Sequence, residues 1–346
     1  MEYRTLGRTG MTVSTQCLGA MMFGAWGNRD HDECVGMVHT ALESGVNFVD
    51  TADVYSTGES EEIVGQALRG RRDDVVLATK VHAPMSEDPN QRGNSRRWIV
   101  REVENSLRRL QTDWIDLYQI HRPDFTTDID ETLGALTDLV RSGKVRAIGS
   151  STFPAELIVE AQWVAERRGR ERFVCEQPPY SIFARGIERA VLPTCRRYEM
   201  GVIVWGPLNG GWLTGKYRRG APVPEGSRAA SGRIPARYDF DRPEVQRKLD
   251  LQEELEKVAA DAGLSLTHMA QAWVVEHPAV TSAIIGPRTP DQLADVLAAA
   301  DLHLDAETLD RIDELVEPGI DVAAPDAGWV TPDLAPSRRR RRVTPR

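Results

Sequence analysis

Short apolar runs separated by longer amphipathic segments set the rhythm of this chain. Residues 46–50 give the type: Val46, Phe48 and Val49 are β-branched or aromatic, and Asp50 abruptly ends the run. Runs of the same kind occupy 14–20, 74–79, 114–120, 145–148, 173–175, 202–204 and 280–285. Most are continuously apolar rather than alternating, which predicts parallel strands buried on both faces. Between them, helical periodicity covers 30–44, 59–68, 95–110, 128–142, 154–168, 185–198, 243–262, 266–277, 290–300 and 306–316. Gly45, Gly70 and Gly143 punctuate three of these segments, and Pro154 suits a first helical turn. Residues 1–14 predict a short hairpin, with Gly7 and Gly10 at turn positions.

Eight strands alternating with helices predict an α/β protein, a (β/α)8 TIM barrel with a short N-terminal hairpin and extra C-terminal helices. An open doubly wound sheet is disfavoured, because no GxGxxG follows the first strand. One domain is expected over residues 1–320, with an irregular Gly-, Pro- and Arg-rich insertion at 218–241. Residues 321–346 form a Pro/Arg-rich tail that carries the run Arg338 to Arg342, expected to be a solvated terminus.

Composition narrows the function. The 346 residues are 41% hydrophobic and carry a net charge of −9, so a broad nucleic-acid surface is not expected. The four cysteines, at 17, 34, 175 and 195, lack metal-ligand spacing. They predict reduced, buried thiols and no metal site. No apolar run approaches the roughly 20 residues needed to span a bilayer, and the first residues are too polar for a secretory leader. A cytoplasmic protein without membrane partners is the expectation.

The chemistry lies in what stops each strand, since barrel active sites form at the C-terminal strand ends. The stops include Asp50, Lys80, His121, Ser151, Gln177 and Trp205, with Tyr55 just past Asp50. Four of these make a proton-transfer set. Tyr55 can donate a proton to a carbonyl oxygen, and Lys80 as a nearby cation would lower its pKa from about 10. Asp50 would hold Lys80 by a charge-assisted hydrogen bond, and His121 could orient the carbonyl.

On these residues the chain resembles the aldo-keto reductase superfamily over about residues 3–316. The family's Asp, Tyr, Lys and His tetrad falls on Asp50 and Tyr55 in FVDTADVYS, Lys80 in LATK and His121 in LYQIHRPD. The stretch RGNSRRWIVREVENSLRRLQTDWIDLYQIH resembles the family's third-helix and fourth-strand signature. The resemblance implies an NADPH/NADP+ site. Ser151, Thr152 and Gln177 would hold the nicotinamide carboxamide, Thr152 standing where the family usually has Asn, and Trp205 would stack on the ring. In WGPLNGGWLTGKY, the implied pyrophosphate loop, Gly206, Pro207, Leu208, Gly210 and Lys216 would face phosphate, with Arg228 closing over it. GPRTPDQLADV implies the adenosine end through Gly286, Arg288, Gln292 and Asp295, with Arg288 on the 2′-phosphate and Val296 where the family often has Asn. Gly19, Met21 and Asp50 complete the implied cofactor set, and Met22, Phe23 and Trp26 join Tyr55 and His121 in the substrate pocket.

The implied activity is NADPH-dependent reduction of an aldehyde or ketone, with a small carbonyl compound as partner. The alternative is a regulatory NADPH-binding subunit resembling the β subunits of voltage-gated potassium channels. Relatives include monomers and larger assemblies, so a homo-oligomer is compatible.

Overall fold

The computed structural model describes residues 1–232, 235–328 and 330–334. A hairpin of β1 (Tyr3–Thr5) and β2 (Thr12–Ser14) opens the chain. Eight strands then close into a parallel barrel: β3 (Gln16–Gly19), β4 (Phe48–Asp50), β5 (Val76–Val81), β6 (Ile115–Ile120), β7 (Val145–Ser151), β8 (Cys175–Gln177), β9 (Gly201–Trp205) and β10 (Ser282–Ile285). They pair in sequence order, and β10 closes the ring on β3. The outer helices are α1 (His31–Glu43), α2 (Glu59–Ala67), α3 (Arg96–Leu110), α4 (Ile129–Arg141), α5 (Ala155–Arg168), α6 (Val191–Arg197), α7 (Pro243–Asp261), α8 (Leu266–Glu276), α9 (Pro290–Leu297) and α10 (Ala306–Leu315). The TIM barrel and hairpin expected from the sequence are what the chain forms.

Helix starts follow local chemistry. Asp30, Ser95, Asp128, Ser265, Thr289 and Asp305 each accept a backbone N–H with their side chains, satisfying donors that a helix leaves unpaired. Among the described residues, no helix is long and apolar enough to cross a membrane.

The barrel interior is built in layers. One apolar layer takes a residue from every barrel strand: Cys17, Phe48, Ala78, Leu117, Ala147, Cys175, Ile203 and Ile284. Leu6 and Val13 of the hairpin pack against it from below and plug the barrel. Side chains on one face of a strand recur every second residue. The next inward layer is therefore Gly19, Asp50, Lys80, Gln119, Gly149, Gln177, Trp205 and Gly286, two positions further along each strand. Five of these eight carry polar or aromatic groups that can meet at the barrel mouth.

This layering corrects the expected strand ends. The apolar runs put Lys80, Ser151, Gln177 and Trp205 after their strands, yet each lies within one. The apolar run stops earlier than the strand because the last inward layer is polar, while the backbone ladder continues. All four cysteines are buried and free.

Candidate active site

Asp50 ends β4, and the chain beyond it stays tied to β5, with Thr51 N–H donating to Ala78 O at 2.9 Å and Asp53 N–H to Lys80 O at 3.2 Å. A short 3-10 turn over Tyr55–Gly58 follows, with Ser56 and Thr57 at φ 50° and 59°. Left-handed backbone at a β-branched residue is strained. Here the turn is stapled to the first loop: Ser56 Oγ accepts from Trp26 N–H at 3.0 Å and donates to Phe23 O at 2.9 Å. Tyr55 is thereby returned over the barrel mouth.

Lys80 is wholly buried and sits at the centre of the site. Its Nζ donates to Asp50 Oδ2 at 2.6 Å, to Thr51 O at 2.7 Å and to the Tyr55 hydroxyl at 3.4 Å. Asp50 Oδ1 accepts from Gln177 Nε2 at 2.9 Å and Gln119 Nε2 at 3.4 Å. The His121 ring stands edge-on to Tyr55, centroids 5.8 Å apart at 78°, and Trp26 flanks Tyr55 at 5.9 Å.

Protonation states follow from burial and charge. Burial alone would lower the Lys80 ammonium, but Asp50 and Tyr55 together raise it above its usual range, so it stays charged. Burial raises the Tyr55 hydroxyl more than Lys80 lowers it. The expected downward shift of Tyr55 is thus reversed in direction: Lys80 moderates a rise instead of producing a fall. A hydroxyl held protonated remains suited to donating its proton. Burial, then Lys80 and Arg122, hold His121 well below its usual range, so the ring is neutral. Its Nδ1 is buried without a partner among the described residues.

Beside this set lie the residues assigned to the carboxamide. Ser151 Oγ donates to Gln177 O at 2.8 Å, and Thr152, at φ 59°, follows directly. Asn adopts that backbone region more readily than Thr, so the Asn-to-Thr departure carries a conformational cost. Trp205 ends β9 half-exposed, its Nε1 buried and unpartnered among the described residues.

At the far end, three cations converge without a carboxylate pairing to any of them among the described residues. Lys216 folds back over Gly211, where an added Cβ would come within 2.6 Å of Lys216 Cε. Gly211 has φ +98°, a backbone conformation that favours glycine. Partial burial, then Arg228 and Arg288, hold the Lys216 ammonium below its usual range. Arg288 Nη1 donates to Gly226 O at 2.5 Å, and Gln292 Oε1 accepts from Arg288 N–H at 2.9 Å. The insertion therefore arches back to the loop after β10. A cradle of backbone and uncompensated cations fits the phosphates of a dinucleotide.

A sequence profile of the Aldo/keto reductase family matches residues 16–317. The chain belongs to the aldo-keto reductase family. The uncharacterized oxidoreductase YrpG of Bacillus subtilis (strain 168) is 41% identical over 94% of this chain and 99% of its own. Aldo-keto reductase YhdN of the same organism is 35% identical over 92% of this chain and 94% of its own. A probable voltage-gated potassium channel subunit beta of Oryza sativa subsp. japonica is 36% identical over 92% of this chain and 97% of its own.

Within this aldo-keto reductase, some assigned residues go elsewhere. Phe23, expected in the substrate pocket, is fully buried in the outer core, because the loop turns its ring inward and leaves its carbonyl to Ser56. Met21 and Met22 are half-buried, and Met22 lies against Gly27 of its own loop. Gly19 packs tightly on β10, where a Cβ would sit 2.5 Å from Ile284 Cγ2. Asp295 turns to α8 and accepts from His268 Nε2 at 3.0 Å, so only Gln292 of that pair meets Arg288. Val296 is buried. Gly206, Pro207, Leu208 and Gly210 lie in the loop after β9, and Gly286 is exposed after β10.

The tail also departs from expectation. Residues 321–328 pack on the barrel instead of standing in solvent: Val322 N–H donates to Phe183 O at 2.9 Å, and buried Asp326 pairs with Lys248 of α7 and with Arg237. Gly328 lies against Trp205. The Arg338–Arg342 run falls outside the described residues.

Sequence reasoning missed three groups near the tetrad. Gln119 was accessible by counting two residues past Leu117. Glu176 caps the loop after β7, accepting from Ser150 Oγ and from Phe153 N–H at 3.0 Å. Arg122 directly follows His121 in HRPD, yet reads as an ordinary surface charge.

Proposed function

We propose that this aldo-keto reductase reduces an aldehyde or ketone to an alcohol with NADPH. The observation that carries the reading is the Tyr55 hydroxyl held beside a charged, buried Lys80 that Asp50 anchors at 2.6 Å. NADPH, when bound, supplies the hydride. Trp205 offers the aromatic face for the nicotinamide, with Ser151, Thr152 and Gln177 beside it for the carboxamide. Lys216, Arg228 and Arg288 neutralise phosphates, Arg288 being best suited to the 2′-phosphate through its planar fork.

Tyr55 then acts as general acid. Its O–H donates to the carbonyl oxygen and its proton is transferred as the alkoxide forms. Lys80 stabilises the resulting tyrosinate, and Asp50 keeps Lys80 charged. Neutral His121 turns a ring N–H toward the carbonyl oxygen without competing for the proton.

A Tyr55→Phe variant tests this. Aldehyde turnover, followed by NADPH absorbance, should fall by at least the ~10²–10⁴-fold that a general acid supplies. NADPH binding, followed by fluorescence, should persist. Wild-type turnover in that variant sinks the assignment. The potassium-channel names among the relatives support a second reading as a regulatory NADPH-binding subunit. Absence of turnover across a carbonyl panel, with NADPH bound, would favour it.

A further inference from the structure

We infer that the carbonyl substrate of this site carries a carboxylate, and that Arg122 is the residue that holds it. This rests on the carbonyl-reductase reading above. Arg122 extends from the end of β6, immediately after His121. Its main chain is fixed by Asn94, whose Nδ2 donates to Arg122 O at 3.0 Å. Among the described residues, Nη1 alone makes hydrogen bonds: it donates to His121 O at 2.7 Å, to Thr152 Oγ1 at 2.8 Å and to Ser151 Oγ at 3.5 Å. A guanidinium has five N–H donors. The Nε and Nη2 donors of Arg122 have no partner, and no carboxylate pairs with it, among the described residues.

Arg122 is half-buried, so its guanidinium bears part of the cost of desolvation with no carboxylate beside it among the described residues. Glu176, whose charge reaches Arg122, is committed to Ser150 and Phe153. Arg237, by contrast, has its partners within the chain. Both guanidiniums lie over the Trp205 ring, at 5.9 and 5.8 Å, but Arg237 is paired with Asp326 at 3.2 Å and bonded to Pro325 O. Of the two, Arg122 is the one without a carboxylate partner among the described residues. Its field also reaches Tyr55, which puts it within range of whatever Tyr55 protonates.

The cofactor does not supply an anion for Arg122. The dinucleotide phosphates have their own cations, Lys216, Arg228 and Arg288, on the loops after β9 and β10. The nicotinamide end is uncharged in its reduced form and cationic when oxidised, so it offers nothing to pair with a guanidinium. A substrate carboxylate remains. It matches the flat fork of Arg122 through two parallel N–H···O bonds. Reduction at the neighbouring carbonyl leaves that carboxylate chemically unchanged.

The experiment compares kcat/KM for 3- and 4-formylbenzoate with their methyl esters. Wild type should favour a free acid by about ten- to a hundredfold, chiefly through KM, as charge-assisted bonds of this strength imply. In Arg122→Met the acid-to-ester ratio should fall to one or below, whatever happens to absolute rates, and Arg122→Lys should restore part of it. A wild type that prefers both esters, or a ratio unchanged in Arg122→Met, overturns the inference while leaving carbonyl reduction intact. Should no compound turn over, the carbonyl-reductase reading fails instead. The Arg122 site is then judged by tryptophan fluorescence with benzoate and benzamide: benzoate binding at least tenfold tighter to wild type but not to Arg122→Met upholds it, and equal binding to wild type overturns it.

Discussion

Replacing Lys80 with Met tests the physical core of the site. Lys80 and Asp50 are 0% and 2% exposed, and they meet at 2.6 Å. Methionine fills a similar volume without charge. Asp50 Oδ2 then loses its donor, while Oδ1 keeps Gln177 at 2.9 Å and Gln119 at 3.4 Å. Thr51 O also loses the Lys80 donor it has at 2.7 Å. Removing one partner of a buried ion pair costs about 3–5 kcal/mol, a large part of the roughly 5–15 kcal/mol that holds a domain folded.

The loss should depend on pH. An unpaired buried carboxylate takes up a proton in preference to staying charged. Protonation relieves the penalty, so the loss shrinks as pH falls, by up to about 1.4 kcal/mol per pH unit. Adding Asp50→Asn to the variant removes the stranded charge and should recover about 2 kcal/mol or more at pH 8, leaving about 1 kcal/mol for the lost hydrogen bonds. Urea unfolding of wild type, both single variants and the double variant, at pH 5.5 and 8, measures all of this. A loss under about 1 kcal/mol at pH 8, or one that neither pH nor Asp50→Asn alters, refutes the assignment of Lys80 as counter-charge to Asp50.

Three further outcomes are expected. Burial raises Glu176 from 4.5 to about 7, so the folded chain keeps a proton that the unfolded chain releases as pH rises from 4.5 to 7. Stability therefore declines across that window by up to about 3 kcal/mol; Glu176→Gln should flatten the decline, and an unchanged slope in pH-dependent urea midpoints would falsify the assignment. Tyr55 is held above its usual range and His121 below its own. Reductive kcat/KM should thus be flat between about pH 6.5 and 10, with neither group adding a limb, and a limb lost in His121→Gln would count against the neutral imidazole. Arg288→Met should raise the KM for NADPH about tenfold or more and leave NADH nearly unaffected; an equal effect on both cofactors would place Arg288 away from the 2′-phosphate.

How much of this was legible in the sequence depended on periodicity. Barrel strands were readable because both their faces are buried, which leaves short apolar runs. Their ends were misread because the last inward layer is polar, as at Lys80 and Gln177. Phe23 was placed in the pocket by its type and position, but a loop residue carries no periodic cue to which way its ring points. The docking of residues 321–328 was hidden for a similar reason. Its buried ion pairs are made by Asp326, whose partners Lys248 and Arg237 lie far back in the chain and resemble surface charges.

The misread polar layer bears on why the tetrad and the fold are inseparable. Asp50, Lys80, Gln119 and Gln177 occupy one level of the barrel, directly above an apolar level that also draws on every strand. Any one of them alone would leave an unsatisfied group in a water-poor interior. Together they satisfy one another: the ammonium answers the carboxylate, and the two amides answer its second oxygen. Arg122 breaks that rule at the same mouth. It is held in place by His121 and Thr152, yet the three N–H donors on Nε and Nη2 have no partner among the described residues. A mouth where Asp50 and Lys80 compensate each other, beside a guanidinium with no carboxylate partner among the described residues, suits an anion that arrives from outside. The acid-to-ester ratio is therefore the measurement that separates a site built for a charged substrate from one that merely tolerates it.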